Sequence, residues 1–402
     1  MRAEGQQQTV RAEDVAVMGI TEILHHIPHI IASYRRLVAS IRRDRPDVAI
    51  LIDFPDVNFR LAKHLHRAGV PVIWFVSPQL WAWKHSRLRW VKQRVSKMLV
   101  IFPFEETFYR ARNVEAEFIG HPLAEAPLPT ITREAYAVEH NLDLSKIWIA
   151  LLPGSRWKEI RANLPTLHEL AISDLINTHS SEITFDGDQL ELPTNAAAHT
   201  RYEFILPVAS TIDRGRLEAF LQTLNGEHLK YLGPEASTLR LTLVSGPDAA
   251  REALHHARAS VVASGTATIQ AAVIGNPFIV VYRVSPLTFF LAQKLVEYPS
   301  EFRDLEDASG NQPIAMVNLI AQYRLVPELL QRNFTAANVA QALAPLLADG
   351  PERERQISGL AVVRQSLYPR PGETSITRLA ATVLTTLEST SKSEPVQSAS
   401  KQ

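Results

Sequence analysis

The chain has 402 residues, 42 basic and 42 acidic side chains, 46% hydrophobic content and no cysteine. That length predicts two or three domains at ~100–200 residues each, and the zero formal charge gives no global pull toward nucleic acid. Disulfides, thiolate metal sites and cysteine nucleophiles are excluded. The polar start Met1-Arg2-Ala3-Glu4-Gly5-Gln6 does not read as a signal peptide. No run of ~18 apolar residues, the length that could span a bilayer, occurs, so any membrane contact is expected to be peripheral.

Residues 17–45 form the first helical pattern. Val17, Ile20, Ile23, Leu24, Ile27, Ile30, Ile31 and Leu37 recur near helical spacing, and Arg35, Arg36, Arg42, Arg43 and Arg45 follow. Pro28 predicts two helices or a kinked one. Such a segment can face a core with a solvated basic end, or lie in a membrane interface with its arginines on anionic head groups. Buried strands are then predicted at 48–52, 71–76, 98–102 and 116–119, with a helix over 58–68 between the first two. Strands alternating with helices argue for a doubly wound α/β domain.

Residues 124–146 carry Pro127 and Pro129 and read as a linker plus a short helix. A second α/β set starts with the strand 147–152, which ends in Pro153-Gly154-Ser155-Arg156 and runs into a helix. Strands at 202–208 and 239–244 follow a polar excursion over 174–200. Then comes Val261-Val262-Ala263-Ser264-Gly265-Thr266-Ala267-Thr268-Ile269-Gln270, a strand, a glycine turn and a helix, with another strand at 278–283. Helical patterns cover 335–349 and 352–386, and the Ser/Lys/Gln-rich residues 387–402 are expected to be a disordered tail. The domain partition is therefore 1–123, a linker at 124–146, 147–349, helices at 350–386, and the tail.

Two glycine loops at strand carboxyl ends point to a phosphate-bearing ligand. Free N–H groups of the helix after Gly265, with the Ser264 and Thr266 hydroxyls, make an anion site. Arg156 offers a planar fork suited to phosphate oxygens. An ordinary turn with a Ser/Thr cap would have the same residues. Neither loop matches GxxxxGK[ST], which argues against a P-loop ATPase.

Single residues keep two readings each. Asp53 and Asp56, after the first strand, could deprotonate a hydroxyl or cap the next helix. His121, in Gly120-His121-Pro122, is either structural or a ligand contact. Trp81 and Trp83 could pack in the core, face lipid or line an acyl groove. The basic run Lys84, Arg87, Arg89, Lys92, Arg94 and Lys97 is a solvated face or a phosphate or membrane contact. The 14 histidines show no HExxH-like spacing, so no protein-bound catalytic metal is expected.

Taken together the segments resemble the lipid-A-disaccharide synthase family. They are Val15–Leu24 (VAVMGITEIL), Asp53–Asn58 (DFPDVN), Ser77–Trp83 (SPQLWAW), Phe102–Glu105 (FPFE), Gly120–Leu123 (GHPL), Leu152–Arg156 (LPGSR), Ala263–Thr268 (ASGTAT) and Val326–Gln331 (VPELLQ), in order from residue 1 to about 345. The resemblance implies a GT-B glycosyltransferase with two Rossmann-like domains facing a cleft. It implies an inverting transferase that joins UDP-2,3-diacylglucosamine to 2,3-diacylglucosamine 1-phosphate (lipid X), without a cofactor. By matching positions, Asp53 is the base for the acceptor 6-hydroxyl or its positioner, and Arg156 stabilises charge on the leaving UDP. Gly154, Ser155, Arg156, Ser264, Gly265, Thr266, Ala267 and Gln270 hold the UDP-sugar, and His121, Asn58 and Trp81 border the cleft and acceptor. Val17, Met18, Ile20, Ile23 and Leu24 are the implied contact with the cytoplasmic face of the inner membrane. Other expectations are a cytoplasmic, peripherally bound protein, a homodimer as an admitted state, and no nucleic-acid partner.

Three departures stand out. Met1 aligns with the methionine of the family's Gly-Gly-Pro-x-Met, so the GExSGD unit and its strand are expected to be missing from the amino-terminal sheet, leaving neighbouring strands exposed. Gln270 stands where the family has a glutamate for the ribose hydroxyls, and a neutral acceptor predicts looser donor binding. Residues 174–200 and 297–313 are longer than the family needs, and Val317 replaces a proline before Asn318-Leu319. The competing readings are a degenerate GT-B-like binding protein without transferase activity, and a UDP-GlcNAc-using transferase or epimerase. SPQLWAW argues against the latter.

Overall fold

The computed structural model describes residues 5, 7–10, 20–172, 201–232, 241–296, 298–299, 302, 305–306 and 311–392. The chain forms two compact units, Met1–Gly120 with Pro369–Gln402, and His121–Tyr368. Each is built on a parallel sheet, as expected of an α/β chain whose apolar runs alternate with helices.

The first unit carries a four-stranded sheet in the order β1 (Ala49–Ile52), β2 (Val72–Phe75), β3 (Lys97–Val100), β4 (Ala116–Phe118). All three pairings are parallel, with Ala49 opposite Val72, Ile73 opposite Lys97 and Met98 opposite Ala116. The interior strand β2 is buried on both faces. The edge strand β1 is not: Leu51 is buried, whereas Ile50 and Ile52 on its other face are 41% and 45% exposed. One helix, Ile20–Arg43, carries Pro28 inside it, so the two-helix alternative does not hold for the described residues. The helix after β1 starts at Pro55, three residues earlier than its apolar pattern suggests, because proline is pre-set for a first helical turn.

The second unit carries six parallel strands in the order β10-β9-β8-β5-β6-β7. They are β5 (Ile147–Leu152), β6 (Tyr202–Pro207), β7 (Leu241–Val244), β8 (Ala259–Ala263), β9 (Phe278–Tyr282) and β10 (Glu328–Leu330). The sequence pattern does not mark β10: it has three residues and follows Pro327, yet it pairs with β9, Glu328 opposite Val280. Ile149, Leu151, Val261, Ile279 and Val281 face Leu167 and Leu170 of the helix Trp157–Ile172 and Val339 and Leu343 of the helix Ala336–Leu347. Ile160 and Leu164 face Leu206, Leu217 and Leu221 in a second cluster. At ~25 cal/mol per Å² of apolar surface, these side chains supply most of the driving force.

The expected helical stretch 352–386 is two helices, Pro351–Ser366 and Ser375–Lys392. Between them lies Tyr368-Pro369-Arg370-Pro371-Gly372, where the prolines cannot continue a hydrogen-bonded turn. The second helix belongs to the first unit, where Arg378 forms an ion pair with Glu117 of β4. Residues 387–392, expected in a disordered tail, are helical, and the Thr390 hydroxyl donates to the Thr386 carbonyl at 2.8 Å. Residues 393–402 and the excursion 174–200 lie outside the described residues. Among the described residues no helix is long and apolar enough to cross a membrane.

Gly120 ends the strand segment of the first unit at φ +89°, and a Cβ there would lie 2.5 Å from Pro369 Cδ. Gly120→Ala is expected to lower stability by about 1–3 kcal/mol, read as a thermal midpoint lower by several degrees at about 2–4 °C per kcal/mol. An unchanged midpoint would refute this account of the Gly-His-Pro segment.

Candidate active site

In the second unit the chain runs from β5 outward through β6 and β7, then returns to β8 on the opposite side of β5. Ile149 pairs with Ala259 and Leu152 with Val262, so the two strands are neighbours. That is the switch point of a doubly wound sheet, where loops diverge and leave a crevice at the carboxyl ends. Both glycine loops leave from it: Pro153–Arg156 after β5 and Ser264–Thr266 after β8.

The two loops treat their N–H groups differently. The helix Thr266–Ile274 begins after Gly265, whose φ is +146°, and no side chain caps it. Thr268 turns inward, its hydroxyl donating to the Gly265 carbonyl at 2.8 Å. Ser264 and Thr266 flank an open turn in which a Cβ on Gly265 would meet nothing within 4 Å. Gln270, one turn on, is half-buried.

In the β5 loop a carboxylate of the chain itself sits on the donors. Glu159 Oε2 accepts from the N–H of Ser155 at 2.9 Å and of Arg156 at 3.2 Å. Its Oε1 pairs with the Arg156 guanidinium at 3.1 Å. Gly154, at φ +126°, has room for this: a Cβ would lie 2.6 Å from Glu159 Oε2 and Cβ. The Asn163 amide donates to the Pro153 carbonyl at 2.8 Å and the Thr211 hydroxyl bonds the Ser155 carbonyl. Sequence reasoning missed Glu159, although its signal was present. It is the third residue of the helix opening at Trp157, where a glutamate reaches back to the preceding N–H groups. Tyr282, at the end of β9, was also missed; burial raises its pKa, with the Glu159 charge adding.

In the first unit the candidate residues follow β1 and β2. Asp53 and Phe54 have φ of 44° and 41°, and Val76 has φ of 63°. None is glycine, so each bears a cost of about 1–3 kcal/mol that the surroundings must offset, a pattern that clusters at functional sites. Asn58 supplies part of the offset. Its amide donates to the carbonyls of Ile52 at 3.0 Å and Asp53 at 2.7 Å, so both its protons brace the Asp53 turn. Asp53 itself is exposed. Asp56 pairs with Arg87 at 2.6 Å, and that hydrogen bond holds its carboxyl below the usual range.

Trp81 is 3% exposed and meets Phe104 edge-on, with centroids 5.2 Å apart. Trp83 is exposed beneath the Lys84 ammonium, 4.0 Å from its ring. Glu105, also unanticipated, is buried nearby. It accepts from the Ser77 hydroxyl at 2.7 Å and from the Phe102 N–H at 3.2 Å. One buried carboxyl thus ties SPQLWAW to FPFE, and burial pushes it up to about 7.

His121 opens the second unit. Its Nδ1 accepts from the Leu123 N–H at 3.1 Å, and burial lowers its pKa to about 4, so the ring is neutral at neutral pH. Ile20, Ile23 and Leu24 lie on the first helix, whereas Val17 and Met18 lie outside the described residues. Among the described residues no group of three or more His, Asp or Glu gathers as a metal site.

The chain matches the family model for lipid-A-disaccharide synthetase over residues 1–186 and 217–376. It belongs to that family. The lipid-A-disaccharide synthase of Acidobacterium capsulatum is 48% identical over 94% of this chain and 85% of its own length. That of Koribacter versatilis is 43% identical over 96% and 87%. Among solved structures, Glycyrrhiza uralensis UGT73P12 complexed with glycyrrhetinic acid 3-O-monoglucuronide aligns with a TM-score of 0.54 at 12% identity, covering 96% of this chain and 83% of that one. A putative UDP-N-acetylglucosamine 2-epimerase from Listeria monocytogenes gives 0.53 at 11%, covering 95% and 83%. At such identities these two show the fold alone, and the fold is GT-B. Family membership makes the chain a glycosyltransferase of lipid A biosynthesis that uses a UDP-sugar, and the reading as a binding protein without activity is not favoured.

Glu105 gives a pH test. Its folded value, about 7, lies above the ordinary 4.5. The stability it contributes is therefore fully present below pH 4.5 and is lost as pH rises through about 7, a swing of about 3 kcal/mol. His121, lowered from 6.5 to about 4, has the opposite sign and loses stability as pH falls through that window. In urea unfolding between pH 4.5 and 8, the wild type should lose stability with rising pH relative to Glu105→Gln. Parallel pH profiles for the two proteins would sink the assignment.

Proposed function

We propose that the chain transfers 2,3-diacylglucosamine from UDP to the 6-hydroxyl of lipid X, with inversion, at the cytoplasmic face of the inner membrane. The observation that carries the reading is the β5/β8 switch point, with an uncapped helix N-terminus on one strand and an arginine loop on its neighbour. The UDP diphosphate would lie on the N–H groups of Thr266 and Ala267 beside Ser264 and Gly265, where helix N-termini favour anions. Arg156 would leave Glu159 and meet the charge that grows on the departing diphosphate. Gly154 and Ser155 would then shape the loop, and Gln270 would accept from a ribose hydroxyl.

Asp53 suits the base. Its exposed carboxylate stands on a turn held rigid by Asn58, so it loses little freedom when it takes the acceptor proton. The 6-hydroxyl gives its proton to Asp53, its oxygen bonds the anomeric carbon, and the bond from that carbon to the diphosphate breaks with its electrons leaving on UDP. Asn58 acts through Asp53, and the buried Trp81 and His121 act as supports of their loops. The apolar residues Val17, Met18, Ile20, Ile23 and Leu24 are the proposed lipid contact.

With UDP-2,3-diacylglucosamine and lipid X, a radiolabel transfer assay should give disaccharide from the wild type and a rate lower by at least about 100-fold from Asp53→Ala. Product from Asp53→Ala at the wild-type rate would remove Asp53 as the base, and no product from the wild type would favour the binding-protein reading. Gln270→Glu should lower the donor KM severalfold, since a charged acceptor bonds more strongly. An unchanged donor KM would show that residue 270 does not meet the ribose.

A further inference from the structure

The basic run of the first unit is not absorbed by the transfer chemistry. The helices Ile20–Arg43, Pro55–Arg67 and Leu88–Arg94 border a cavity of about 410 Å³. Its wall carries Arg60, Lys63, Arg87 and Arg94 against one carboxylate, Asp56, among the described residues. Asp56 is already bound to Arg87, which leaves three cations without a counter-charge there. Arg94 is half-buried, and its hydrogen bond goes to the Phe59 carbonyl at 3.1 Å. Burial lowers its pKa, and the charges of Arg67 and Arg89 lower it further. Trp90 is ringed by guanidinium carbons of Arg87, Arg89 and Arg94 at 5.7, 5.7 and 5.2 Å from its centroid. Arg60 and Lys63 are exposed, but like charges gathered on one wall without an anion repel one another, and an oxyanion with several acceptor oxygens relieves that cost.

The cavity's place on the chain says which anion. Asp56 is three residues beyond Asp53, at most ~11 Å of extended backbone. A hexose whose C6 hydroxyl sits at Asp53 spans a comparable distance to a phosphate on C1. Tyr34 and His64 line this cavity and also a second one of about 630 Å³, whose wall adds Val38 and Ala39 together with Arg35, Arg42 and Arg43, so the open space continues along a wall that stays basic.

We propose that this cavity binds the phosphate monoester of the sugar acceptor, with Arg60, Lys63 and Arg94 as its cationic ligands. The inference rests on the acceptor reading given under the proposed function. It adds a recognition site that explains why an acceptor with a C1 phosphate is chosen over a neutral sugar.

The test compares lipid X with its dephosphorylated counterpart, on the full chain and on Arg60→Gln/Lys63→Gln and Arg94→Gln. Each variant should raise KM for lipid X about tenfold or more, as expected for loss of a charge-assisted bond, and leave KM for the dephosphorylated acceptor unchanged. Equal losses on both acceptors would overturn the proposal in favour of a structural role. Unchanged kinetics with loss of binding to phosphatidylglycerol vesicles would overturn it and assign the cations to lipid head groups. Calorimetric binding of lipid X in detergent micelles does not depend on transfer: about tenfold weakening in the double variant supports the site, and undiminished binding overturns it. A wild type that binds lipid X through these residues but forms no disaccharide would sink the transferase reading and leave the site standing.

Discussion

A helix that starts at the carboxyl end of a parallel strand leaves its first N–H groups without helical acceptors, and in this chain two such helices start side by side. The order of strands forces the arrangement. Because β5 is followed on one side by β6 and on the other by β8, the loops after β5 and β8 turn away from each other and cannot cover each other's donors. One set is met by Glu159, and the other is open beyond Gly265. The donor chemistry proposed for the second unit depends on this pair of helix ends more than on any single side chain.

The first unit solves a different problem with the same topology. Its loops after β1 and β2 hold four non-glycine residues, Asp53, Phe54, Val76 and Lys84, in left-handed conformations, and neighbouring groups brace the first three specifically: Asn58 under Asp53, the β3 carbonyl of Leu99 on the Val76 N–H at 3.1 Å, and Glu105 beneath Ser77. A strained turn keeps its shape only when the surroundings over-determine it. The buried Glu105 does this with hydrogen bonds to two motifs at once, at a desolvation cost visible in its raised pKa. Asp53 inherits its fixed position from that scaffold.

Most strands were legible because a parallel sheet buries both faces and so writes continuous apolar runs, such as Val261 to Ala263 and Phe278 to Tyr282. The two glycine loops were legible for the opposite reason, since a break in such a run has few physical causes. What escaped was long-range or conformational. Three residues of β10 carry too little pattern to separate from a turn. The ion pair of Arg378 with Glu117 joins positions far apart in sequence, so the return of the last helix to the first unit left no local mark. Left-handed Asp53 and Val76 look like ordinary residues in the sequence, and Glu105 looks like one more surface glutamate on a helix. That the Asn58 amide bonds the Ile52 and Asp53 carbonyls and that Trp81 is buried are likewise conformational facts with no local mark in the sequence.

Glu159 is tied to the loop it occupies by four residues of chain, so it never diffuses away. For Arg156 to turn toward a diphosphate, as the proposed function requires, its guanidinium would have to leave a partner whose effective concentration is set by that short tether. The same carboxylate would recapture it once the product had gone. On that reading the β5 loop would be sprung toward its closed state, giving up some grip on the nucleotide for ease of turnover.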